Sequence, residues 1–387
     1  MIALAAAGVC ACAGEAGEPA AASRPEEASR PVETARAAPA ASVAASTPAA
    51  AAAADPALAA LPGEIVFVSE RAGRAEIHAI HPDGTGHRVI AAAPDADLFP
   101  TAASGAGWLL AIRTTGGETD AHREELIAID PVDRAVAPPI LAAGRVRNPS
   151  QAPGAPWLAV ETDRESFRDI YRVSLTGGAP RRLTDSPHGN FEPAVSPDGR
   201  LIAFTSSRDG NAEIYVMAAD GGREARLTAF HRDDWSPVWS PAGDTLAFLS
   251  AREGPARVFL MRPDGTEQRR LLGDWDAEVE EDPPAFSPDG VLLALVVRRA
   301  DGGGEVWVAD PRTGKRWPVS AAGARDSSPA WSPDGHYLVY ASEVDGQSDL
   351  FVARADRARG GPVRITADAA QDWLPRWTAP VSRAPRR

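Results

Sequence analysis

Acidic side chains recur at one fixed place in a repeated stretch of this sequence. Seven prolines are each preceded, three residues earlier, by a position that holds a carboxylate in five of the copies. The seven positions are Asp97, Val146, Asn190, Asp234, Glu281, Asp326 and Asp372. Carboxylates that are brought together repel one another unless a cation or a basic group lies among them. If the fold gathers these positions, they predict a site for a divalent cation such as calcium or for a basic peptide end.

Aromatic and histidine side chains accompany these acids. Trp235 and Trp373 directly follow an acid, and His188 and His231 lie a few residues before the same position in two copies. Such a mixture is typical of interaction hot spots. The predicted binding residues are Asp97, Asn190, Asp234, Glu281, Asp326, Asp372, Trp235, Trp373, His188 and His231. The alternative is that each acid only caps its own loop, as Asp commonly does before a turn.

A repeat with the pattern Pro-x-Trp-Ser-Pro-Asp-Gly carries these positions. Its clear copies start at Pro193, Pro237, Pro284 and Pro329, at intervals of 44, 47 and 45 residues. Three weaker starts bring the number to seven, and they are Phe99-Pro100, Asn148-Pro149 and Leu374-Pro375. A period of roughly 40 to 50 residues with several short strands is typical of the blades of a β-propeller.

Each unit of the repeat reads as four strands. The inner strand at the proline is followed by an apolar strand such as 202–204, a third strand such as 213–216 and a short basic strand such as 225–228. The first unit, at about 64–90, lacks its inner strand, and residues 374–377 supply one. Pairing these ends closes a ring without open sheet edges. We therefore predict an all-β, seven-bladed β-propeller, with six blades as the alternative, whose inner strands bring the acids to the rim of a central channel.

Two further patterns in the repeat predict structural devices. The Ser-Pro-Asp-Gly motifs predict turns rather than calcium loops, which need a longer ligand spacing. The third strand begins with an acid in six units and with Arg257 in the seventh. We expect these acids to form hydrogen bonds with hydroxyls on the second strand. The acids are Glu76, Glu125, Asp169, Glu213, Glu305 and Asp349, and the hydroxyl residues are Ser69, Thr114, Thr162, Ser206, Ser250 and Ser342.

The repeat, best preserved in residues 193–217, resembles the WD40-like (PD40) repeats of the TolB β-propeller family. The resemblance covers about residues 64–378. It implies a propeller that binds a protein or peptide partner at the channel mouth. The family's namesake has six blades and an additional N-terminal α/β domain, whereas this chain has seven repeat starts and a low-complexity segment ahead of them.

Catalytic patterns are scarce in this sequence. No Ser lies in a Gly-x-Ser-x-Gly elbow of the kind found in the hydrolase domain of prolyl-peptidase relatives. Some TolB-like propellers are metal-dependent uronate lyases that use histidines, but His188 and His231 are too few for a metal site. We therefore expect a non-catalytic scaffold that needs no cofactor. The alternatives are a metal-dependent carbohydrate (oligouronide) lyase and a soluble sensor or interaction domain.

The N-terminal residues resemble the end of a bacterial lipoprotein signal. Residues 1–12 form a short apolar run, and Val9-Cys10-Ala11-Cys12 places a branched apolar residue and a small residue before Cys12, the predicted lipidation site. Residues 13–62 are rich in Ala and Pro and predict a disordered linker. The propeller follows at 63–379, with a basic tail at 380–387. These features predict a periplasmic protein anchored to the membrane only by lipid.

The charge of the chain limits its partners. A net charge of −13 is opposed to the long basic surface that phosphate neutralisation requires. Nucleic acid is therefore not an expected partner. We expect a monomer that binds a protein or peptide partner in the cell envelope.

Overall fold

The structure, a computed structural model, describes residues 56–103, 107–117, 122–142, 144–165, 167–273, 279–321, 324–356 and 361–379. The predicted signal segment with Cys12, most of the predicted linker and the basic tail lie outside the described residues. The domain boundaries proposed there stay predictions.

Strands make up nearly all the regular structure of the described residues, apart from the short helix α1 (Pro56–Ala59). The first fifteen strands are β1 (Glu64–Ser69), β2 (Glu76–Ile80), β3 (Arg88–Ala91), β4 (Ala96–Ala103), β5 (Leu109–Thr115), β6 (Arg123–Ile129), β7 (Leu141–Ala142), β8 (Val146–Ser150), β9 (Trp157–Thr162), β10 (Asp169–Ser174), β11 (Arg181–Arg182), β12 (Asn190–Val195), β13 (Leu201–Ser206), β14 (Glu213–Ala218) and β15 (Ala225–Arg226). The others are β16 (Asp234–Trp239), β17 (Leu246–Ser250), β18 (Arg257–Met261), β19 (Arg269–Arg270), β20 (Glu280–Glu281), β21 (Ala285–Phe286), β22 (Leu293–Arg298), β23 (Gly304–Ala309), β24 (Arg316–Pro318), β25 (Arg325–Trp331), β26 (Tyr337–Val344), β27 (Gln347–Arg354), β28 (Val363–Arg364) and β29 (Asp372–Thr378).

The strands pair in antiparallel sets of four, except that one set has five strands because its inner strand is divided into β20 and β21. Five sets are separate sheets, with the orders β29-β1-β2-β3, β4-β5-β6-β7, β8-β9-β10-β11, β12-β13-β14-β15 and β16-β17-β18-β19. In the sixth set β20 and β21 both pair with β22, which pairs with β23 and then β24. The last set, β25-β26-β27-β28, joins the sixth through one parallel bridge between Gly304 and Arg325, so that the two form a nine-stranded sheet.

An all-β β-propeller is therefore confirmed. If each set of four is taken as one blade, the described residues hold seven blades. Because two sets merge into one sheet, the count of seven stays a prediction.

Apolar side chains fill the space between consecutive blades. In β17, Leu246 and Phe248 pack against the blade before, whereas Ala247 and Leu249 pack against the blade after. Both faces of the strand are buried, which explains why the second strands read as continuous apolar runs. Burying one such Leu or Phe side chain contributes roughly 1.5–3 kcal/mol. One of these clusters joins the last blade to the first, because Tyr337 and Val339 lie with Ile65 in one core.

The repeated motif forms the predicted turns and, in addition, links neighbouring blades. The indole Nε1 of Trp239 donates to the carbonyl of Ala194 on the preceding blade at 2.9 Å, and Trp331 does the same to Ala285. In the Ser-Pro-Asp-Gly turn, the Ser196 hydroxyl donates to Asp198 at 2.7 Å. This hydrogen bond holds the pKa of Asp198 below its usual value. The motif is therefore a structural device.

The two ends of the described chain close the ring. Strand β29 pairs with β1, with Glu64 opposite Thr378 and Ile65 opposite Trp377. The indole of Trp377 donates to the Pro62 carbonyl at 3.1 Å. Gly63 has a φ of +84°, and a Cβ there would lie 1.9 Å from the Thr378 carbonyl oxygen, so only glycine fits at this contact.

The linker prediction is wrong at its C-terminal end. Leu58 in α1 is 2 % exposed and packs, with Leu61 beside it, into the core between the last and first blades. The surrounding Ala and Pro composition concealed these two leucines, whose burial orders the segment just before β1.

A network of polar side chains lies beside the closing strands β29 and β1. The Arg71 guanidinium donates to both carboxylate oxygens of Asp372 on β29, at 3.1 and 3.2 Å, and its other terminal nitrogen lies 3.3 Å from His87. His87 in turn lies 2.9 Å from Nδ1 of His78, which is 1 % exposed and also contacts Glu76 at 3.2 Å. Burial lowers the pKa of His78 below its ordinary value. Protonation of His78 therefore opposes the folded state.

Acid should weaken ring closure through His78. Because the folded pKa of His78 is depressed, its neutral form contributes stability above the unfolded pKa of about 6.5, and this contribution is lost as the pH falls below that value. We expect the His78→Phe variant to lose less melting temperature than the wild type between pH 7 and pH 5. The control His188→Gln changes an exposed histidine and should follow the wild type. An equal fall in melting temperature between pH 7 and pH 5 for His78→Phe and the wild type would contradict this role.

Candidate functional site

The predicted rim acids are mostly hidden from solvent. Asp97 is half-buried. The other five predicted positions are at most 2 % exposed, and they are Asn190, Asp234, Glu281, Asp326 and Asp372. They do not present an exposed acidic ring, because these five side chains are buried. A ligand at these positions stays a prediction.

Two of these side chains, Asp97 and Glu281, connect one blade to the one before it. The carboxylate of Asp97 accepts from the backbone N–H of Ala75 at 3.0 Å. Glu281 accepts from the N–H of Val258 at 2.6 Å. These contacts satisfy backbone donors at the starts of third strands, which explains why a polar residue recurs at the position.

In three blades an arginine donates a hydrogen bond to the side chain at this inner-strand position. In the clearest case, Nε of Arg252 donates to Ser250 at 2.7 Å, and Nη2 donates to Asp234 at 2.7 Å. We call this arrangement the serine–arginine clamp. Its members are Ser69, Arg71 and Asp372; Ser206, Arg208 and Asn190; and Ser250, Arg252 and Asp234. A buried carboxylate needs such a charged partner.

The last blade breaks the pattern of the clamp. Ser342 lies opposite Asp326, but Val344 stands where the three clamp blades carry the arginine, and it is 52 % exposed. Burial raises the pKa of Asp326 above its ordinary value.

The third-strand acids bind different hydroxyls from those predicted. Asp169 accepts from Thr184 at 2.8 Å, and Glu213 accepts from Thr228 at 2.6 Å, both threonines following the fourth strand. The second-strand serines were the wrong partners, because the clamp arginines use them. In the second blade Glu124, not Glu125, lies opposite Thr114 and accepts from the N–H of Val146 at 2.7 Å.

The predicted aromatic and histidine residues fall into two groups. Trp235 and Trp373 are half-buried, and Trp373 packs against the ring of Phe99 at 5.8 Å. His188 and His231 are exposed, and His231 lies 4.4 Å from the ring of Phe230. The two histidines lie in equivalent loops of adjacent blades.

Bulges in the inner strands shape the channel wall. The ladder between inner and second strands slips by one register step at the prolines, as between Phe191 and Ala194. Five residues directly before a proline have positive φ, and they are Asn148, Glu192, Ser236, Ser328 and Leu374, with φ of 48° to 55°. Such backbone costs on the order of 1–3 kcal/mol at each residue. The bulge turns the N–H of the residue toward the neighbouring blade.

Two glutamates use these redirected N–H groups. The N–H of Glu192 donates to Oε2 of Glu161 at 3.1 Å, and the N–H of Ser236 donates to Oε2 of Glu192 at 2.9 Å. Glu161 also accepts from Asn148 at 3.0 Å and from Arg168 at 2.8 Å. These hydrogen bonds link three consecutive blades at the channel wall. We call Glu161 and Glu192 the channel carboxylate pair.

The two carboxylates differ in their electrostatics. Glu161 is 1 % exposed and forms an ion pair with Arg168. Glu192 is partly exposed and bonds only neutral donors, the hydroxyls of Thr205 and Ser236 at 2.9 Å each and the Ser236 N–H. Burial, and to a lesser extent the negative charge of Glu161, raises the pKa of Glu192. Glu192 is therefore a hydrogen-bonded carboxylate that still lacks a positive partner among the described residues.

The sequence analysis missed the channel carboxylate pair. The predicted site residues were positions that recur in the repeat copies, and these recurring positions have structural roles. Glu192 stands where other copies carry Ser236, Ser328 or Leu374. A residue that departs from its own repeat was the signal that could have found it.

Comparison with known proteins supports the repeat assignment. The family model described as the TolB beta propeller domain matches residues 140–298. The crystal structure of TolB from Acinetobacter baumannii is 21 % identical, covers 82 % of this chain and 67 % of its own, and superposes with a TM-score of 0.50. The predicted resemblance to TolB-like (PD40) repeats is confirmed.

Solved structures of enzymes superpose on this chain with higher TM-scores than TolB does. A puromycin hydrolase is 20 % identical, with a TM-score of 0.62 over 80 % of this chain and 53 % of its own. An oligogalacturonate lyase in complex with manganese is 14 % identical, with a TM-score of 0.57 over 76 % of this chain and 86 % of its own. In sequence, the "Uncharacterized peptidase YuxL" of Bacillus subtilis is 28 % identical over 101 residues, which are 24 % of this chain and 15 % of that protein.

These matches correct the predicted function. The expectation of a non-catalytic scaffold is contradicted, because the propellers with the higher TM-scores belong to peptidases and a lyase. The chain spans about half the length of the puromycin hydrolase that it matches.

A manganese site of the lyase kind does not fit the described side chains. Over the described ranges, no group of three or more His, Cys, Asp or Glu side chains is arranged to hold a metal ion. The channel carboxylate pair supplies two carboxylates, and their oxygens already accept hydrogen bonds from protein donors.

Removing the arginine of a clamp should destabilise the fold strongly. Arg252→Met leaves Asp234, which is 0 % exposed, without its charged partner. We expect the free energy of unfolding to fall by about 3 kcal/mol in urea denaturation, the usual result of breaking a buried ion pair on one side. The control Arg200→Met removes an arginine whose side chain is 84 % exposed and should change little. Equal effects of the two variants would rule out a structural role for the clamp.

Proposed function

We propose that this propeller serves a peptide-cleaving enzyme and holds the substrate peptide in its central channel. The observation that carries the proposal is the similarity to the puromycin hydrolase, with a TM-score of 0.62 over 80 % of this chain. The sequence match to the Bacillus subtilis protein described as a peptidase supports the same class. No described residue is assigned the bond-breaking step.

The channel carboxylate pair suits the ammonium group of a peptide N-terminus. Glu192 has two carboxylate oxygens, and Oε1 accepts one hydrogen bond, from the Ser236 hydroxyl. A carboxylate oxygen can accept a second donor. An ammonium ion is a compact positive charge with three donors, and it would neutralise the mutual repulsion of Glu161 and Glu192. The strained bulges that aim the N–H groups at these glutamates fix their positions before a ligand arrives.

A second candidate is an oligosaccharide lyase. The chain covers 86 % of the oligogalacturonate lyase, compared with 53 % of the puromycin hydrolase. Against this candidate stands the poor fit of the described side chains to a metal site. We therefore rank the peptide enzyme first.

The cell envelope is the location that we propose for this activity. The support is the lipoprotein-like residues Val9–Cys12 and the resemblance to TolB. Within the part of the chain that the structure describes, no helix has the length and apolarity needed to cross a membrane.

Membrane attachment should depend on Cys12. If Cys12 carries the lipid, Cys12→Ala should move the protein from the membrane fraction to the soluble fraction in a host that processes lipoproteins. Cys10→Ala is the matched control and should leave the protein on the membrane, because Cys10 precedes the predicted cleavage point. The reverse result would move the lipid to Cys10.

Peptide binding should depend on Glu192 and on a free N-terminus. We expect trialanine amide, which has a free ammonium group, to bind the wild type more tightly than acetyl-trialanine amide in titration calorimetry. Glu192→Gln should weaken binding of trialanine amide at least tenfold, which corresponds to about 1.4 kcal/mol. Because the pKa of Glu192 is raised, the wild-type affinity should also fall as the pH is lowered from about 6.5, where the ligand's α-amino group is already protonated, and the carboxylate takes up a proton.

The control variant for this test is Glu267→Gln, which changes an exposed carboxylate on an outer turn. It should bind like the wild type. Equal affinity for the free and acetylated amides would show that Glu192 does not bind the ammonium group. Release of p-nitroaniline from alanine p-nitroanilide by the full-length protein tests cleavage separately.

A further inference from the structure

One inner-strand position departs from its repeat in charge. The residue that directly follows the repeat proline is small and uncharged in six copies, and it is arginine in the closing strand β29. The six are Thr101, Ser150, Ala194, Val238, Ala285 and Ala330, and the seventh is Arg376. Arg376 lies four residues from the first residue of β29, or roughly 13 Å into the channel from the rim.

Arg376 has no charged partner in the described part of the chain. Its Nε donates to the Thr101 carbonyl on the next inner strand at 3.3 Å, and its Nη1 donates to the Pro375 carbonyl at 3.0 Å. No described carboxylate lies within 4.0 Å of its guanidinium. Burial lowers the pKa of Arg376, and no nearby acid offsets this effect.

The clamp arginines provide the contrast. Arg71 and Arg252 each form an ion pair with a carboxylate that is 0 % exposed. These two half-buried arginines are therefore paired with buried acids, whereas Arg376 is not. A desolvated guanidinium without a counter-charge costs free energy in the folded state. A side chain that lowers stability without a structural partner is a candidate for function.

The position of Arg376 relative to Glu192 suits a ligand with both charges. Strand β29 contacts β4 and β25, whereas β12, which carries Glu192, contacts β8 and β16. Two inner strands, β4 and β8, separate β29 from β12 on one side, and the remaining inner strands separate them on the other. Arg376 and Glu192 therefore stand on different inner strands of the ring. A short peptide carries an ammonium at one end and a carboxylate at the other.

We propose that Arg376 is a binding residue for a carboxylate in the channel, namely the C-terminal carboxylate of the peptide substrate. The proposal rests on the proposed function for its choice of ligand. The guanidinium offers a planar pair of N–H donors that matches a carboxylate. Its Nη2 makes no hydrogen bond to a described residue and is the donor available to the ligand.

The test compares acetyl-trialanine, which has a free carboxylate, with acetyl-trialanine amide. We expect calorimetry to give the wild type at least tenfold higher affinity for the free acid. Arg376→Met should remove this preference, and Arg376→Lys should retain part of it, because lysine keeps the charge but not the planar donor pair. Arg200→Met, an exposed arginine outside the channel strands, is the control and should bind like the wild type.

Thermal melting separates binding from structure. Without ligand, Arg376→Met should melt no lower than the wild type, since the variant removes a half-buried charge that has no ion-pair partner among the described residues. A large fall in melting temperature would assign Arg376 to folding and overturn the proposal. Unchanged preference for the free acid in Arg376→Met would overturn it as well.

Two further ligands distinguish this proposal from the proposed function. Binding of trialanine amide does not involve a carboxylate, so it should persist in Arg376→Met if the peptide proposal is right. If trigalacturonate binds in an Arg376-dependent way and no peptide binds, the carboxylate site stands while the peptide enzyme is wrong. If inorganic phosphate competes as strongly as the free acid, Arg376 is a general anion site and the assignment to a peptide carboxylate falls.

Discussion

The pairing of β1 with β29 is the constraint on which the rest of this molecule depends. Every blade buries its apolar side chains against two neighbours, so an open ring would expose the core between the last and first blades. The pairing also places Arg376 and Trp377 beside residues more than 270 positions earlier in the chain, as the contact of Arg376 with Thr101 illustrates. Closure thus completes both the core and the channel wall.

The sequence was most informative where the fold repeats itself. A proline, a tryptophan and a Ser-Pro-Asp-Gly turn at a constant spacing are enough to predict four-stranded blades, because each residue acts locally or on the adjacent blade. Trp239 illustrates this, since its indole reaches one blade back. The same regularity misled the search for a site. Asp234 and Asp372 recur because three blades use this position as the buried partner of a clamp arginine, and repetition of that kind is structural.

The channel wall could not be predicted from the sequence for a physical reason. A residue before proline normally favours extended backbone, yet Glu192 and Ser236 adopt positive φ in a bulge. The bulge decides where the N–H and the side chain of Glu192 point, and it depends on pairing with the second strand. Nor does the sequence state that Glu161 and Glu192, 31 positions apart, share a hydrogen bond. Two residues that break their own repeat, Glu192 and Arg376, would have been better candidates than the conserved pattern.

Charge separation across the channel limits what can bind there. A ligand of one sign would meet an unlike charge on one wall and a like charge on the other, so a ligand that carries both signs gains from both walls. Burial strengthens each of these interactions, because the surrounding strands exclude part of the water. Glu192 and Arg376 both have pKa values shifted toward the neutral form in the free protein. A ligand that brings an opposite charge to each group offsets part of this desolvation cost.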